Sequence, residues 1–200
     1  MKIRIEEKMK KTLLTIIALV GLICASCTSS VSSDSKSSDE NTSLADNGSD
    51  TPRFLSSDLA FFSLYGPVKS VTEDGIVSLE FDQNGTLTSV YGSPASQRYS
   101  RDNQGRIVEM NGYENHVTYT WGDERPVGSE AQAEGMTSKE TYTYDERGFV
   151  AQISHSDDGE ESVESFSYPE VDKHGNWTKR VSEGYEYTAG NTSRVIEYYE

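Results

Sequence analysis

Asp-x-x-Gly recurs along this 200-residue chain, as Asp82-Gln83-Asn84-Gly85, Asp102-Asn103-Gln104-Gly105, Asp145-Glu146-Arg147-Gly148 and Asp172-Lys173-His174-Gly175. A decayed copy stands at Asp123-Glu124-Arg125-Pro126, and the five aspartates are 20, 21, 22 and 27 residues apart. A tetrapeptide returning at this interval marks an internal repeat. Its chemistry is that of a corner. The Asp carboxylate accepts from backbone N–H groups two or three residues on, and Gly supplies the positive φ that turns a type I turn into a bulged hairpin.

The flanks read as strands. Val77-x-Leu79-x-Phe81, Val117-x-Tyr119-x-Trp121, Tyr142-x-Tyr144 and Phe166-x-Tyr168 lead into the corners, and Leu87, Ile107-Val108, Phe149-Val150 and Trp177 follow them. A second set of turns joins the repeats, at Asp74-Gly75, Tyr91-Gly92-Ser93-Pro94, Asn111-Gly112, Asp157-Asp158-Gly159, Gly184 and Ala189-Gly190-Asn191. Period-two alternation broken by turn signals predicts an all-β, curled antiparallel meander of about twelve strands. A short N-terminal helix is expected before it, with Ser57-Asp58 as its cap, Leu59, Phe61, Phe62 and Leu64 as its apolar residues, and Gly66-Pro67 as its stop.

Three segments divide the chain. Residues 1–27 hold Lys8, Lys10 and Lys11 ahead of an apolar run from Leu13 to Ile23, too short to span a bilayer, followed by small residues, which is the pattern of a secretory signal. Met9 offers an alternative start. Residues 28–52 are rich in Ser, Asp, Asn and Thr, cannot bury enough apolar surface to offset their ordering entropy, and read as a disordered tether. Residues 53–200 form the β domain. The end of the signal, Cys24-Ala25-Ser26-Cys27, resembles a bacterial lipobox, which implies lipidation at Cys27, a membrane anchor there, and a place in the cell envelope at the outer membrane, facing either side. No cysteine follows residue 27, so the domain is expected to hold together without disulfides.

Tyr144-Asp145-x-x-Gly148 and Phe81-Asp82-x-x-Gly85 resemble the YD repeats of RHS-type proteins. Asp172-x-x-Gly175-Asn176-Trp177-Thr178-Lys179-Arg180 is similar to a variant in small lipoproteins of Bacteroidota, as are Gly66-Pro67-Val68-Lys69-Ser70-Val71 and Arg194-Val195-Ile196-Glu197-Tyr198-Tyr199. The resemblance spans roughly residues 59–200. It implies architecture more than activity, and the chain has too few repeats to enclose a cargo as large RHS proteins do. Arg101 and Val171 depart from the aromatic that usually precedes Asp, and Pro126 replaces the glycine.

Charge excludes some partners. Five of the 18 basic and two of the 33 acidic residues lie in 1–27, leaving 13 and 31 beyond it, a net charge of −18. Nucleic-acid phosphates repel such a surface. His116, His155 and His174 lie on different repeats without metal-ligand spacing and read as ordinary surface or strand histidines; no metal or cofactor is expected. The acidic group Asp157, Asp158, Glu160 and Glu161 reads as a solvated hairpin tip rather than a calcium loop. No catalytic residue is selected, and no nucleophile elbow is present.

The aromatics are the remaining signal. Trp121, Tyr144, Phe166 and Trp177 are expected to pack the apolar face, whereas Tyr185, Tyr187, Tyr198 and Tyr199 on the terminal strands are candidates for a binding face. The expectation is a non-enzymatic envelope lipoprotein that binds or scaffolds through a sheet face or edge, with an envelope protein or a glycan as partner. A glycan-binding accessory lipoprotein is the alternative and requires a row of exposed aromatics. An enzyme requires a deep pocket with convergent carboxylates or histidine.

Overall fold

The computed structural model describes residues 54–112, 115–133, 135–157, 159–184 and 190–200. The segment expected to be a signal, with Cys27, the segment expected to be a tether, and Tyr185 and Tyr187 lie outside these residues. The described residues form one antiparallel sheet of thirteen strands. The arm before the sheet's break is β1 (Val68–Glu73), β2 (Ile76–Phe81), β3 (Leu87–Val90) and β4 (Ser93–Pro94). A single 3-10 turn, Ala95–Gln97, leads to β5 (Tyr99–Arg101), β6 (Ile107–Asn111), β7 (His116–Trp121), β8 (Pro126–Ala133) and β9 (Met136–Tyr144). The chain ends through β10 (Val150–Asp157), β11 (Glu160–Val171), β12 (Trp177–Glu183) and β13 (Gly190–Tyr198). The expectation of an all-β curled meander holds, with one more strand than counted, because β4 occupies a stretch that reads as a turn.

Strands are hydrogen-bonded in the order β4-β3-β2-β1-β13-β12-β11-β10-β9-β8-β7-β6-β5. The first and last strands therefore pair with each other, Val71 opposite Ile196. The sheet's two ends, β4 and β5, are separated in sequence only by the 3-10 turn and Arg98. The sheet thus curls round until its ends meet, without a ladder between them. Because the meander alternates direction, every Asp-x-x-Gly corner falls at one end of the curl. Each corner carries a register shift, including those between β2 and β3, β5 and β6, and β9 and β10, as a glycine-closed bulge requires. The corners are near copies. The Asp145 carboxylate accepts from the N–H of Arg147 at 3.0 Å and of Phe149 at 2.9 Å, and Asp82, Asp102 and Asp172 repeat the pattern. In the decayed copy the turn closes earlier, Gly122 N–H donating to Arg125 O.

The helix α1 (Ser57–Phe61) plugs this end. Its N-cap is Ser56, whose hydroxyl accepts from Leu59 N–H at 3.1 Å, not Ser57-Asp58 as the sequence suggests. The helix stops because Ser63 takes a φ of +50°, Ser63 N–H bonds Ala60 O, and Leu64 N–H reaches back to Leu59 O, a Schellman closure. Leu59 and Leu64 are fully buried. They join Val68, Val71, Phe81, Leu87 and Val90 from one arm of the sheet and Tyr99, Ile107, Met110, Val117 and Tyr119 from the other in a single apolar core. The segment is latched to all five corners. Ser56 Oγ donates to Gly85 O and Ser57 Oγ to Gly105 O, Arg125 lies over the Phe54 ring, Tyr65 Oη donates to Arg147 O at 2.6 Å, and Asn176 exchanges two bonds with the Tyr65 backbone.

Candidate functional site

Away from the helix, the inner face turns polar. Six neighbouring strands, β9 to β13 and then β1, each place one ionisable side chain inward: Glu140, His155, Glu164, Arg180, Arg194 and Glu73. All six are buried, with exposures from 1% at His155 and Glu164 to 7% at Glu73. Buried charge is costly unless paired, so this belt is the most demanding feature of the fold. His155 stands directly opposite Glu140 across β9 and β10. Its Nδ1 lies 3.4 Å from Glu140 and its Nε2 3.9 Å from Glu164. Burial pushes the His155 pKa down, but the two carboxylates overcome that and raise it to about 9. The imidazole is therefore a cation at neutral pH. Glu140 in turn accepts from Ser129 Oγ at 3.1 Å and Tyr142 Oη at 2.9 Å.

The other half of the belt is held differently. Arg194 Nε donates to Trp177 O at 2.7 Å, and its guanidinium lies 3.5 Å from the centre of the Trp177 ring. Arg180 Nη2 donates to Thr192 Oγ1 at 3.3 Å, and its guanidinium faces the Phe166 and Trp177 rings. Among the described residues neither guanidinium reaches a carboxylate at ion-pair distance, and Arg180 Nε and Arg194 Nη2 are buried without a hydrogen-bond partner. Burial lowers both pKa values, that of Arg194 to about 9, and a guanidinium stays protonated in proteins. Glu73, opposite Arg194 in the register, is pushed up by burial. A cavity of about 40 Å³ lies against these three residues, with Ser63, Ser78, Phe62, Val150 and Trp177 also lining it. Glu140, His155 and Glu164 do not line it.

The residues singled out from sequence fall elsewhere. Asp82, Gly85, Asp102, Gly105, Asp145, Gly148, Asp172 and Gly175 form the latched corners. Tyr198 stacks on His174, with ring centres 3.9 Å apart, donates to the Asp172 carboxylate and accepts from Asn176. Tyr199 Oη donates to Phe81 O at 2.7 Å. Both tyrosines act as staples between the terminal strand and the corners, not as open stacking platforms. Trp177 is buried, and Trp121, Tyr144 and Phe166 are partly buried against the cores. The reading of His155 as an ordinary strand or surface histidine is corrected: it is the centre of a buried ionic cluster. Among the described residues no group of three or more His, Cys, Asp or Glu is arranged to hold a metal ion. No family model matches the chain, and no curated protein matches it.

Proposed function

We propose that this protein is a non-enzymatic cell-envelope lipoprotein, anchored to the outer membrane through a lipid on Cys27, that binds or scaffolds another envelope protein through the outer face of its sheet. The observation that carries the reading is an inversion of the usual strand pattern. Val77 on β2 and Val195 on β13 face outward at 45% and 66% exposure, both paired with Thr72 of β1 between them, and Ile76 beside them is 58% exposed. Branched apolar side chains left in water on β2 and β13, the two neighbours of β1, while Glu73 of β1 and Arg194 of β13 are buried, suit a surface that meets a partner. The face is favoured over the edge because β4 and β5 are only two and three residues long and offer little ladder to extend.

The glycan alternative asks for a row of exposed aromatics, and the large exposed apolar residues among those described are all aliphatic. An enzyme would need substrate space beside Glu140, His155 and Glu164, and the cavity does not reach them. The test is metabolic labelling with a fatty-acid analogue in wild type and Cys27→Ala, with cross-linking of wild type and Val77→Glu/Val195→Glu in cells. Label that depends on Cys27, together with a cross-linked partner lost in the valine variant, supports the proposal. Label that persists in Cys27→Ala overturns the anchor, and unchanged cross-links in the valine variant overturn the face.

A further inference from the structure

Basic side chains are normally kept in water. In a chain with a net charge of −15, surface lysines and arginines would also relieve the acidic self-repulsion. Arg180 and Arg194 are nevertheless turned inward, 4% and 6% exposed. A guanidinium offers five donors in a rigid fork. The protein satisfies one edge of each fork and packs the faces on aromatic rings, yet leaves Arg180 Nε and Arg194 Nη2 without an acceptor. Both residues line the same cavity.

A purely structural belt would bring the two guanidiniums into ion pairs with Glu73 or Glu164, as His155 is brought to its carboxylates. It does not. Two guanidiniums and the single carboxylate that lines the cavity, Glu73, leave one uncancelled positive charge beside the open space. The cavity measures about 40 Å³, about three times the smallest volume that accepts one water, which suits a ligand of a few heavy atoms. We propose that this cavity binds a small monoanionic oxyanion, a short carboxylate or an inorganic oxyanion of similar size, in the fork made by Arg180 and Arg194. Guanidinium forks match the paired oxygens of such ions in distance and charge. Trp177 holds the Arg194 plane in place, and Glu73 sets the preference for a single negative charge by repelling a second.

The site is tested on the full chain by thermal melts and calorimetric titration at neutral pH with sodium formate, acetate and phosphate, against sodium chloride at matched ionic strength. Binding to the folded state raises Tm saturably with ligand, so a saturating rise with at least one oxyanion and none with chloride is expected. Which oxyanion saturates lowest separates carboxylate from inorganic ligands. Arg194→Lys, which keeps the charge and loses the fork, is expected to weaken binding about tenfold. Glu73→Gln removes the opposing charge and is expected to tighten it several-fold, a readout that survives if the arginine variant does not fold. Equal melting in oxyanions and chloride overturns the proposal. So does an oxyanion effect of the same size in wild type and Glu73→Gln, because salts that act by exclusion from the surface do not sense the cavity.

Discussion

His155 is the residue on which the buried belt balances. Glu140 and Glu164 would be two anions in a low-dielectric interior without it, and removing the middle charge of such a cluster costs about 3–5 kcal/mol. Its raised pKa also fixes the sign of a pH effect. A group whose pKa is higher in the folded than in the unfolded state contributes stability that is complete below about 6.5 and is lost as pH climbs through about 9. Urea denaturation of wild type is therefore expected to show falling stability between those values, and His155→Gln is expected to be less stable at pH 6 with a flat profile across the same window. A profile of equal slope in both proteins would remove His155 from the account. This cluster was hidden in the sequence because the alternation points the wrong way. On β11 the apolar Val163 is 46% exposed and its neighbour Glu164 is buried, and on β13 Val195 is exposed and Arg194 buried. A period of two says which residues share a face but not which face is inside, and the usual assumption that valine points inward reverses these strands. The signal available was confined to β11, where Glu164 is in phase with Phe166 and the buried Tyr168.

At the scale of the hairpin, the repeat was legible because its chemistry is local: four consecutive residues carry the aspartate acceptor and the positive-φ glycine. What the repeat could not disclose is that its copies are unequal, since that depends on what rests on each corner. Gly105 has φ +80° with nothing within 4 Å of where a Cβ would stand, whereas Gly148 has φ +82° and a methyl there would meet Tyr65 Oη at 2.3 Å and Arg125 Nη1 at 2.7 Å. Gly105→Ala is expected to cost about 1–2 kcal/mol for the left-handed backbone alone. Gly148→Ala carries that cost and about 1–3 kcal/mol more for displacing the latch that Tyr65 makes with Arg147 O. Chemical denaturation of the two variants reads the difference, and equal losses would mean that the helical segment does not bear on the corner. The helix itself was legible in place and composition but not in its end, which Ser63 sets after Phe61, ahead of the stop expected at Gly66-Pro67. Its cap was misplaced by one residue because Ser56, Ser57 and Asp58 are all good caps by type, and only the tertiary partners of Asp58 decide among them.

Across the whole molecule, the curl has no hydrogen-bonded ladder between its two ends, so side chains must hold them together. Asp58 does this. Its carboxylate, from the buried helix, accepts from Leu87 N–H of β3 at 2.6 Å and pairs with the Arg101 guanidinium of β5 in a two-pronged bridge, one prong measuring 2.7 Å. One side chain thereby ties the plug to both terminal arms. Arg101 is also one of the two positions where the repeat departs from its aromatic, so the irregularity in the sequence marks the closure of the fold. Asp58→Ala leaves the Leu87 amide without its acceptor and the Arg101 guanidinium, whose side chain is 29% exposed, with only Gly105 O to donate to, and is expected to cost about 1–3 kcal/mol. Arg101→Met leaves the 1% exposed Asp58 unpaired and is expected to cost a similar amount. Because each single change strands the other partner, Asp58→Leu/Arg101→Met is expected to lose clearly less than the sum of the two. Hydrogen exchange locates the effect. In Asp58→Ala, amides of β3 and β5 should lose protection while those of β10 to β12 keep it, because the latter are held between long strands on both sides. A uniform loss across the sheet would show instead that the curl melts as one unit and that the latch adds stability without closing anything.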